Sequence, residues 1–130
     1  MNTLPLKITR AVLCLVVSPL LFAAPAQAQE AAEGERLFKA RCATCHTTVE
    51  GQNRVGPSLA GVFGRTSGSV EGARYSNAMK GANLTWDEAT LETYLANPRG
   101  VVPGSTMTIS VTSADQRAAI IAFLKAQAGG

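Results

Sequence analysis

Apolar residues recur at helical spacing in four stretches of the chain, where side chains three or four positions apart fall on one face. These stretches, which predict four helices, are residues 31–42, 75–80, 86–96 and 114–127. Thr85 with Glu88, and Ser113 with Gln116, have the spacing of capping boxes and should begin the third and fourth helices. Pro98 should end the third, because the residue before a proline disfavours helical backbone. The pattern predicts an all-α fold.

Two segments, residues 47–74 and 98–111, follow no period for long. The first holds six glycines together with apolar residues, and a compact domain seldom carries so long an irregular stretch without a function. Glycine lets the backbone approach a ligand closely, so this composition favours a loop wrapped around a flat apolar cofactor. In the second segment, the β-branched residues of 108–111 favour a short strand, although the sequence offers it no partner strand.

The beginning of the chain has the layout of an export signal. Two basic residues precede an apolar run over 11–24, and an Ala-x-Ala sequence ends at Ala28. The run is short for a membrane span, so we expect cleavage rather than anchoring, and Cys14 should leave with the peptide. This divides the chain into a removed signal peptide, 1–28, and a single domain, 29–130, located in the periplasm.

The composition of the predicted mature domain indicates a thin apolar core. Of the 102 residues from 29 to 130, only 19 are Leu, Ile, Val or Phe, and 10 basic against 9 acidic residues leave a net charge of +1. So few large apolar side chains suggest that a disulfide, a metal or a cofactor completes the core. The near-neutral charge excludes a strongly basic nucleic-acid-binding protein, and the lack of a second long apolar run excludes a polytopic membrane protein.

Cys42, Cys45 and His46 form the one compact group of metal-binding residue types, in the sequence Cys-Ala-Thr-Cys-His. A Cys42–Cys45 disulfide would close only a four-residue segment and stabilise little. A zinc site needs four ligands, and the sequence holds no second pair. C-x-x-C-H is also the attachment signature of covalent c-type haem. Two thiols three residues apart can reach two vinyl groups of one porphyrin, and the next residue can reach the iron. We therefore expect one haem c.

The second axial position of the iron decides the chemistry, because an open site binds gases or peroxide whereas a closed site carries electrons. Met107 is favoured because it lies in a loop, whereas Met79 lies in a predicted helix and could be core filler. Lys80 is a weaker third candidate. Donors for the haem propionates should lie in or beside the wrapping loops, although each candidate could also be a surface charge, a core aromatic or a turn residue. These candidates are Arg65, Tyr75, Trp86 and Ser105.

The chain resembles the class I cytochrome c family, of the mitochondrial and bacterial soluble type, over essentially all of 31–127. The matching motifs are Gly34-x-x-x-Phe38-x-x-x-Cys42-x-x-Cys45-His46, Val55-Gly56-Pro57-Ser58-Leu59, Phe63-Gly64-Arg65, Tyr75, Leu84-Thr85-Trp86, Tyr94-Leu95-x-Asn97-Pro98 and Pro103-Gly104-Ser105-x-Met107. The resemblance implies three main helices, a short helix and long loops wrapped around one haem, which is attached through Cys42 and Cys45.

The resemblance also implies roles for individual residues. His46 and Met107 would be the axial ligands, Pro57 would accept a hydrogen bond from the His46 ring, and Tyr94 would lie near the Met107 sulfur. The propionates would be served by Tyr75, Trp86, Arg65 and Ser105. Gly34 and Phe38 would pack against the last helix. The chain departs from the mitochondrial type in its docking lysines, which are reduced to a few cations such as Lys39, Arg41 and Arg99. It also carries Met79 where that type often has asparagine.

These features lead to an expected function, which is that of a soluble periplasmic one-electron carrier and not an enzyme. Its partners would be redox proteins, namely membrane respiratory or photosynthetic complexes and periplasmic reductases. We expect a monomer with no nucleic-acid partner and no stable membrane insertion. Two alternatives stay open: a haem enzyme or sensor, peroxidase or gas-binding, with an open sixth site, and an electron-transfer subunit of a larger redox complex.

Overall fold

The computed structural model describes residues 25–128, which form five α-helices joined by long irregular segments. The helices are α1 (Ala26–Arg41), α2 (Asn77–Gly81), α3 (Glu88–Ala96), α4 (Pro98–Val101) and α5 (Ala114–Gln127). Over this range β-structure is limited to an isolated bridge between Thr66 and Thr85, so the strand predicted over 108–111 is wrong. The all-α prediction is confirmed. The apolar run of the predicted signal peptide, with Cys14, lies outside the described residues.

The start of α3 differs from the prediction. Asp87, and not Thr85, is its N-cap, and the Asp87 carboxylate accepts a hydrogen bond from the Thr90 backbone N–H at 2.8 Å. This bond lowers the pKa of the Asp87 carboxyl. The predicted cap of α5 is correct, because the Ser113 hydroxyl accepts a bond from the Gln116 N–H at 3.4 Å. Both Thr85 and Asp87 carry a side-chain oxygen that can cap a helix, and Asp87, which directly precedes Glu88, is the residue that does so.

The sequence pattern missed α4. Pro98 ends α3 as predicted, but it also begins a new helical turn, because its fixed φ suits the first position of a helix. The Asn97 side chain caps this turn by accepting a bond from the Gly100 N–H at 3.0 Å. This short helix leads directly into residues 102–113, the segment called here the Met107 loop.

The core is organised by the crossing of α1 and α5. A Cβ on Gly34 would overlap the Ala119 carbonyl oxygen and would lie 2.8 Å from the Phe123 Cβ, so glycine allows the two backbones to meet. The Phe38 ring packs next to this crossing, with its centroid 5.3 Å from that of Phe123. Helix α3 packs against the same helix α5. The expected packing of Gly34 and Phe38 on the last helix is therefore present. Among the described residues, no helix is both long and apolar enough to cross a membrane.

Candidate haem site

The two cysteines and the histidine lie on the turn that follows α1. Cys42 ends the helix by donating its N–H to the Phe38 carbonyl at 2.8 Å, and the N–H groups of Cys45 and His46 both bond the Cys42 carbonyl, at 3.0 and 2.9 Å. This tight turn leaves all three side chains half-buried. The two thiols form no disulfide with each other, and burial raises the pKa of the Cys42 thiol. Within the described range, no group of three or more His, Cys, Asp and Glu residues is arranged to hold a metal ion.

One hydrogen bond fixes the orientation of the His46 ring. Its Nδ1 donates to the Pro57 carbonyl oxygen at 2.8 Å, which is the bond expected from the resemblance. Burial lowers the pKa of His46, although the bond to Pro57 acts in the opposite direction. A neutral ring whose Nδ1 carries the proton keeps its lone pair on Nε2. His46 is therefore set up as a neutral nitrogen ligand.

Gly56 provides the space that the His46 ring occupies. A Cβ at this position would overlap the ring and lie 2.8 Å from Nδ1 and 2.9 Å from Nε2. The Gly56 N–H also bonds the Cys45 carbonyl at 2.8 Å, which ties this loop to the cysteine turn. In the sequence, Gly56 stands out only as part of the motif Val55-Gly56-Pro57-Ser58-Leu59. Its position immediately before Pro57 was the available signal, since a residue beside the ring's acceptor must itself lie close to the ring.

The Met107 loop begins with a buried pair of hydroxyl groups. The Tyr94 hydroxyl lies 2.9 Å from the Ser105 Oγ, and Ser105 Oγ accepts a second bond from the Met107 N–H at 3.3 Å. Burial raises the pKa of Tyr94. Gly104, with φ of +91°, makes the turn that brings Ser105 inward. Met107 itself is half-buried and packs against the core. Ser105 therefore binds Tyr94 in this structure, and the contact of Tyr94 with the Met107 sulfur stays a prediction.

Arg65 carries an unsatisfied buried donor. Its two terminal nitrogens donate to the carbonyls of Ala60 and Ser58, at 2.7 and 3.0 Å, whereas its Nε finds no hydrogen-bond partner among the described residues. Burial lowers the pKa of Arg65. An orphaned N–H on a half-buried cation is unfavourable unless an anionic acceptor faces it. Tyr75 lies near enough to influence Arg65 electrostatically, and its hydroxyl accepts a bond from the Val70 N–H at 3.4 Å.

The remaining sequence candidates divide between the core and the surface. Trp86 is buried and meets the Tyr94 ring edge-on, with centroids 4.9 Å apart. Met79 is also a buried member of the core cluster, whereas Lys80 is exposed on α2. Cys42 and Met107 both pack against this same cluster, so the core links the cysteine turn to the Met107 loop. The chain thus offers two thiols, a neutral imidazole, a thioether and an unsatisfied cation, a donor set that fits a covalently bound haem with its propionates.

Comparison with known proteins identifies the family of the chain. A family model described as cytochrome c matches residues 31–128. The chain belongs to the cytochrome c family. Cytochrome c of Chlamydomonas reinhardtii is 44% identical over 104 residues, which cover 78% of this chain and 93% of that protein. Cytochrome c2 of Blastochloris viridis is 42% identical over 104 residues, which cover 78% of this chain and 81% of that protein.

A solved structure gives the same result for the fold. Cytochrome cH from Methylobacterium extorquens superposes with a TM-score of 0.68 at 40% identity, and the match covers 74% of this chain and 97% of that one. The class I cytochrome c fold is therefore confirmed. This cytochrome carries one haem c attached through two thioethers, and it carries electrons between redox partners.

Proposed function

We propose that this cytochrome is a periplasmic one-electron carrier, with its haem attached through Cys42 and Cys45 and its iron held by His46 and Met107. The observation that carries the proposal is the His46 ring, which Pro57 orients at 2.8 Å and which Gly56 leaves room for. When bound, the haem supplies an iron that cycles between the ferric and ferrous states.

Each of two loops positions one of the proposed iron ligands, His46 or Met107. Burial lowers the pKa of His46, which favours its neutral form, and the Pro57 carbonyl accepts the Nδ1 proton, so that Nε2 would be the ligand nitrogen. On the other loop, Tyr94 and Ser105 hold the backbone next to Met107. A thioether is a soft, uncharged ligand that favours ferrous iron. With His46 and Met107 both bound to it, the iron would have no open site for a substrate, which suits a carrier better than an enzyme.

Arg65 supports the placement of the propionates. Its unpaired Nε is the donor that a carboxylate would satisfy, and the negative charge would offset the burial that lowers the pKa of Arg65. We propose that Tyr75, Trp86 and Ser105 complete this environment. These residues bind and orient the cofactor, and none of them needs to transfer a proton or form a bond.

The surface charges suit brief docking. On α1, Lys39 bonds Glu35 at 2.6 Å and Arg36 pairs with Glu33, so these cations are neutralised locally. Arg41 and Arg99 are exposed, and the Arg99 Nε also donates to the Ser105 carbonyl at 3.4 Å. We propose transient electron transfer with membrane respiratory or photosynthetic complexes and periplasmic reductases. The protein would act as a monomer, without nucleic acid and without stable membrane insertion.

The location follows from the proposed signal peptide, residues 1–28. Its cleavage would leave a single domain, residues 29–130. The measurement is the intact mass of the protein from the periplasmic fraction, which should equal residues 29–130 plus one haem, with no titratable thiol. A mature mass without haem, or an uncut chain in the membrane fraction, would contradict the proposal.

Replacing Met107 tests the closed iron site. Met107→Ala should abolish the sulfur-to-iron charge-transfer band of the ferric protein, lower the potential and allow carbon monoxide to bind the ferrous form. The matched control is Met79→Leu, a volume-conserving change in the buried core that should keep the band and cost less than about 1.5 kcal/mol of stability. Loss of the band in Met79→Leu but not in Met107→Ala would refute the ligand assignment. Rapid carbon monoxide binding by the unchanged ferrous protein would refute the carrier function.

A further inference from the structure

Arg117, on α5, joins three parts of the structure through one guanidinium group. Its Nε and Nη2 contact Glu92 Oε1 on α3, at 2.7 and 2.6 Å. Its Nη1 donates to the carbonyls of Val111 and Thr112, at 2.8 and 2.9 Å. The Arg117 side chain is only 12% exposed. Two of these four contacts are to carbonyl groups at the end of the Met107 loop.

Both ends of the Met107 loop are fastened to α3. At the first end, Ser105 bonds the Tyr94 hydroxyl. At the second end, the Val111 N–H bonds the Leu95 carbonyl at 2.8 Å. Arg117 bonds both the Val111 and Thr112 carbonyls and the Glu92 carboxylate of α3. Tyr94, Leu95 and Glu92 lie within one turn of α3, so a single helical turn receives both ends.

Between these two anchors the loop is nearly free. Within the described structure, residues 106 and 108–110 make no hydrogen bond to the rest of the chain, and all four are exposed. Met107 lies between these residues and is half-buried, and its N–H is bonded only to Ser105 Oγ at 3.3 Å. Without Arg117, the carbonyls of Val111 and Thr112 would lose their donor, and the second end of the loop would be held only by the buried Val111 side chain and its N–H bond to Leu95. A less firmly held end lets the segment before it open more readily.

An arginine is required for this arrangement. Its planar fork carries five donors and can bond a carboxylate and two carbonyls at once. A lysine has one nitrogen and could reach Glu92 or the loop carbonyls, but it could not reproduce all four contacts. The Glu92 carboxylate balances the charge, which would otherwise be unfavourable at this degree of burial.

We propose that Arg117 is a positioning residue for Met107: it fixes the second end of the Met107 loop and thereby limits how readily the Met107 sulfur is displaced from the iron. Glu92 supports it by neutralising its charge. The inference rests on the proposed ligation of the iron by Met107. The ion pair of Arg117 with Glu92 would then help to keep Met107 on the iron, although neither residue is itself a proposed ligand.

The test is a titration of the ferric holoprotein with imidazole near neutral pH, followed by loss of the sulfur-to-iron charge-transfer band. Imidazole competes with the Met107 sulfur, so its apparent affinity reports how readily the loop yields the ligand. Arg117→Gln should bind imidazole about tenfold more tightly than the wild type, a change equivalent to about 1.4 kcal/mol. Arg117→Lys and Glu92→Gln should give smaller increases, and these two variants answer the question if Arg117→Gln does not fold.

Two controls separate positioning from general stability. Lys125→Gln removes another ion pair between α5 and α3, with Glu88 at 3.4 Å, which does not touch the Met107 loop. Ile120→Val removes a methyl group from a fully buried site on α5. Both should leave the imidazole affinity within twofold of the wild type, even if they unfold more easily.

The outcomes distinguish this inference from the function on which it rests. A wild-type protein without the sulfur-to-iron band would refute Met107 ligation and the positioning role with it. If the wild-type band is normal and Arg117→Gln leaves the imidazole affinity unchanged, the positioning role alone is refuted. If Arg117→Gln does not fold, unchanged affinity in both Arg117→Lys and Glu92→Gln refutes it in the same way. An equal increase in Ile120→Val would also refute it, because the effect would then follow stability and not the contacts of Arg117.

Discussion

Gly34→Ala is the sharpest test of the fold, because the new methyl group would enter the contact between α1 and α5. The added Cβ would overlap the Ala119 carbonyl oxygen and lie 2.8 Å from the Phe123 Cβ. Ordinary contacts of this kind begin near 3.4 Å. The carbonyl belongs to helix backbone and cannot rotate away, so the two helices must separate and the Phe38–Phe123 contact must loosen.

The expected loss of stability follows from two opposing effects. Overpacking of a tight core destabilises by roughly 1–3 kcal/mol, and a backbone obstacle places this site at the upper end of that range. Alanine is a better helix former than glycine by about 1 kcal/mol, which offsets part of the loss. The free energy of unfolding should therefore fall by about 2 kcal/mol. Denaturant unfolding of the holoprotein, followed by far-ultraviolet circular dichroism, measures this change directly.

Gly81→Ala is the matched control. Gly81 lies at the end of α2, and a Cβ there would meet no atom within 4 Å, so the unfolding free energy of this variant should not fall and should rise by up to about 1 kcal/mol from the helix preference of alanine. If Gly34→Ala were as stable as the wild type, or more stable, α1 and α5 could not cross in backbone contact at this residue.

Three further predictions concern capping, ligand orientation and docking. The hydrogen bond from the Thr90 N–H lowers the pKa of the Asp87 carboxyl in the folded protein. The charged cap therefore stabilises the fold fully above the unfolded pKa of about 3.9, and this stabilisation is lost as the pH falls through the lower folded pKa. The gap in urea midpoint between the wild type and Asp87→Asn, which keeps a neutral cap, should therefore stay constant above about pH 5 and shrink in more acidic solution; a pH-independent gap would contradict this. Gly56→Ala should displace the His46 ring from Pro57, weaken the ligand's donor strength and raise the reduction potential in a redox titration, and an unchanged potential would argue against the role of Gly56. Electron transfer to an acidic partner should slow with salt less steeply than for a lysine-rich cytochrome c in the same stopped-flow series, and equal slopes would show that the exposed cations cluster more tightly than we infer.

The sequence was most informative where the determinants are local. Helix α5 has its predicted bounds because the Ser113 cap and the apolar spacing that follows agree with each other. The hydrogen bond between His46 and Pro57 could be expected only from the family motif, since nothing in the spacing of these residues fixes their contact. The ion pair of Lys39 with Glu35 could be predicted from the sequence, because the two residues lie one helical turn apart.

The features that the sequence did not reveal depend on tertiary contacts or on competing local signals. Thr85 and Asp87 each offer a side-chain cap near the same helix, and a pattern cannot decide between them. The pairing of Arg117 with Glu92 spans 25 residues, so no local rule identifies it. The unpaired Nε of Arg65 is likewise visible only when the surrounding carbonyls of Ser58 and Ala60 are in place.

The start of α1 overlaps the end of the proposed signal peptide. The helix begins at Ala26, has no side-chain cap and carries no acidic residue in its first turn. Cleavage after Ala28 would shorten the helix and bring Glu30 into its first turn, where a negative charge suits the positive end of the helix dipole. Residues 26–28 cannot be wound into α1 and also lie extended for a peptidase. Trimming and helix formation would therefore compete for the same three residues, and a precursor that folded too early would protect itself from its own processing.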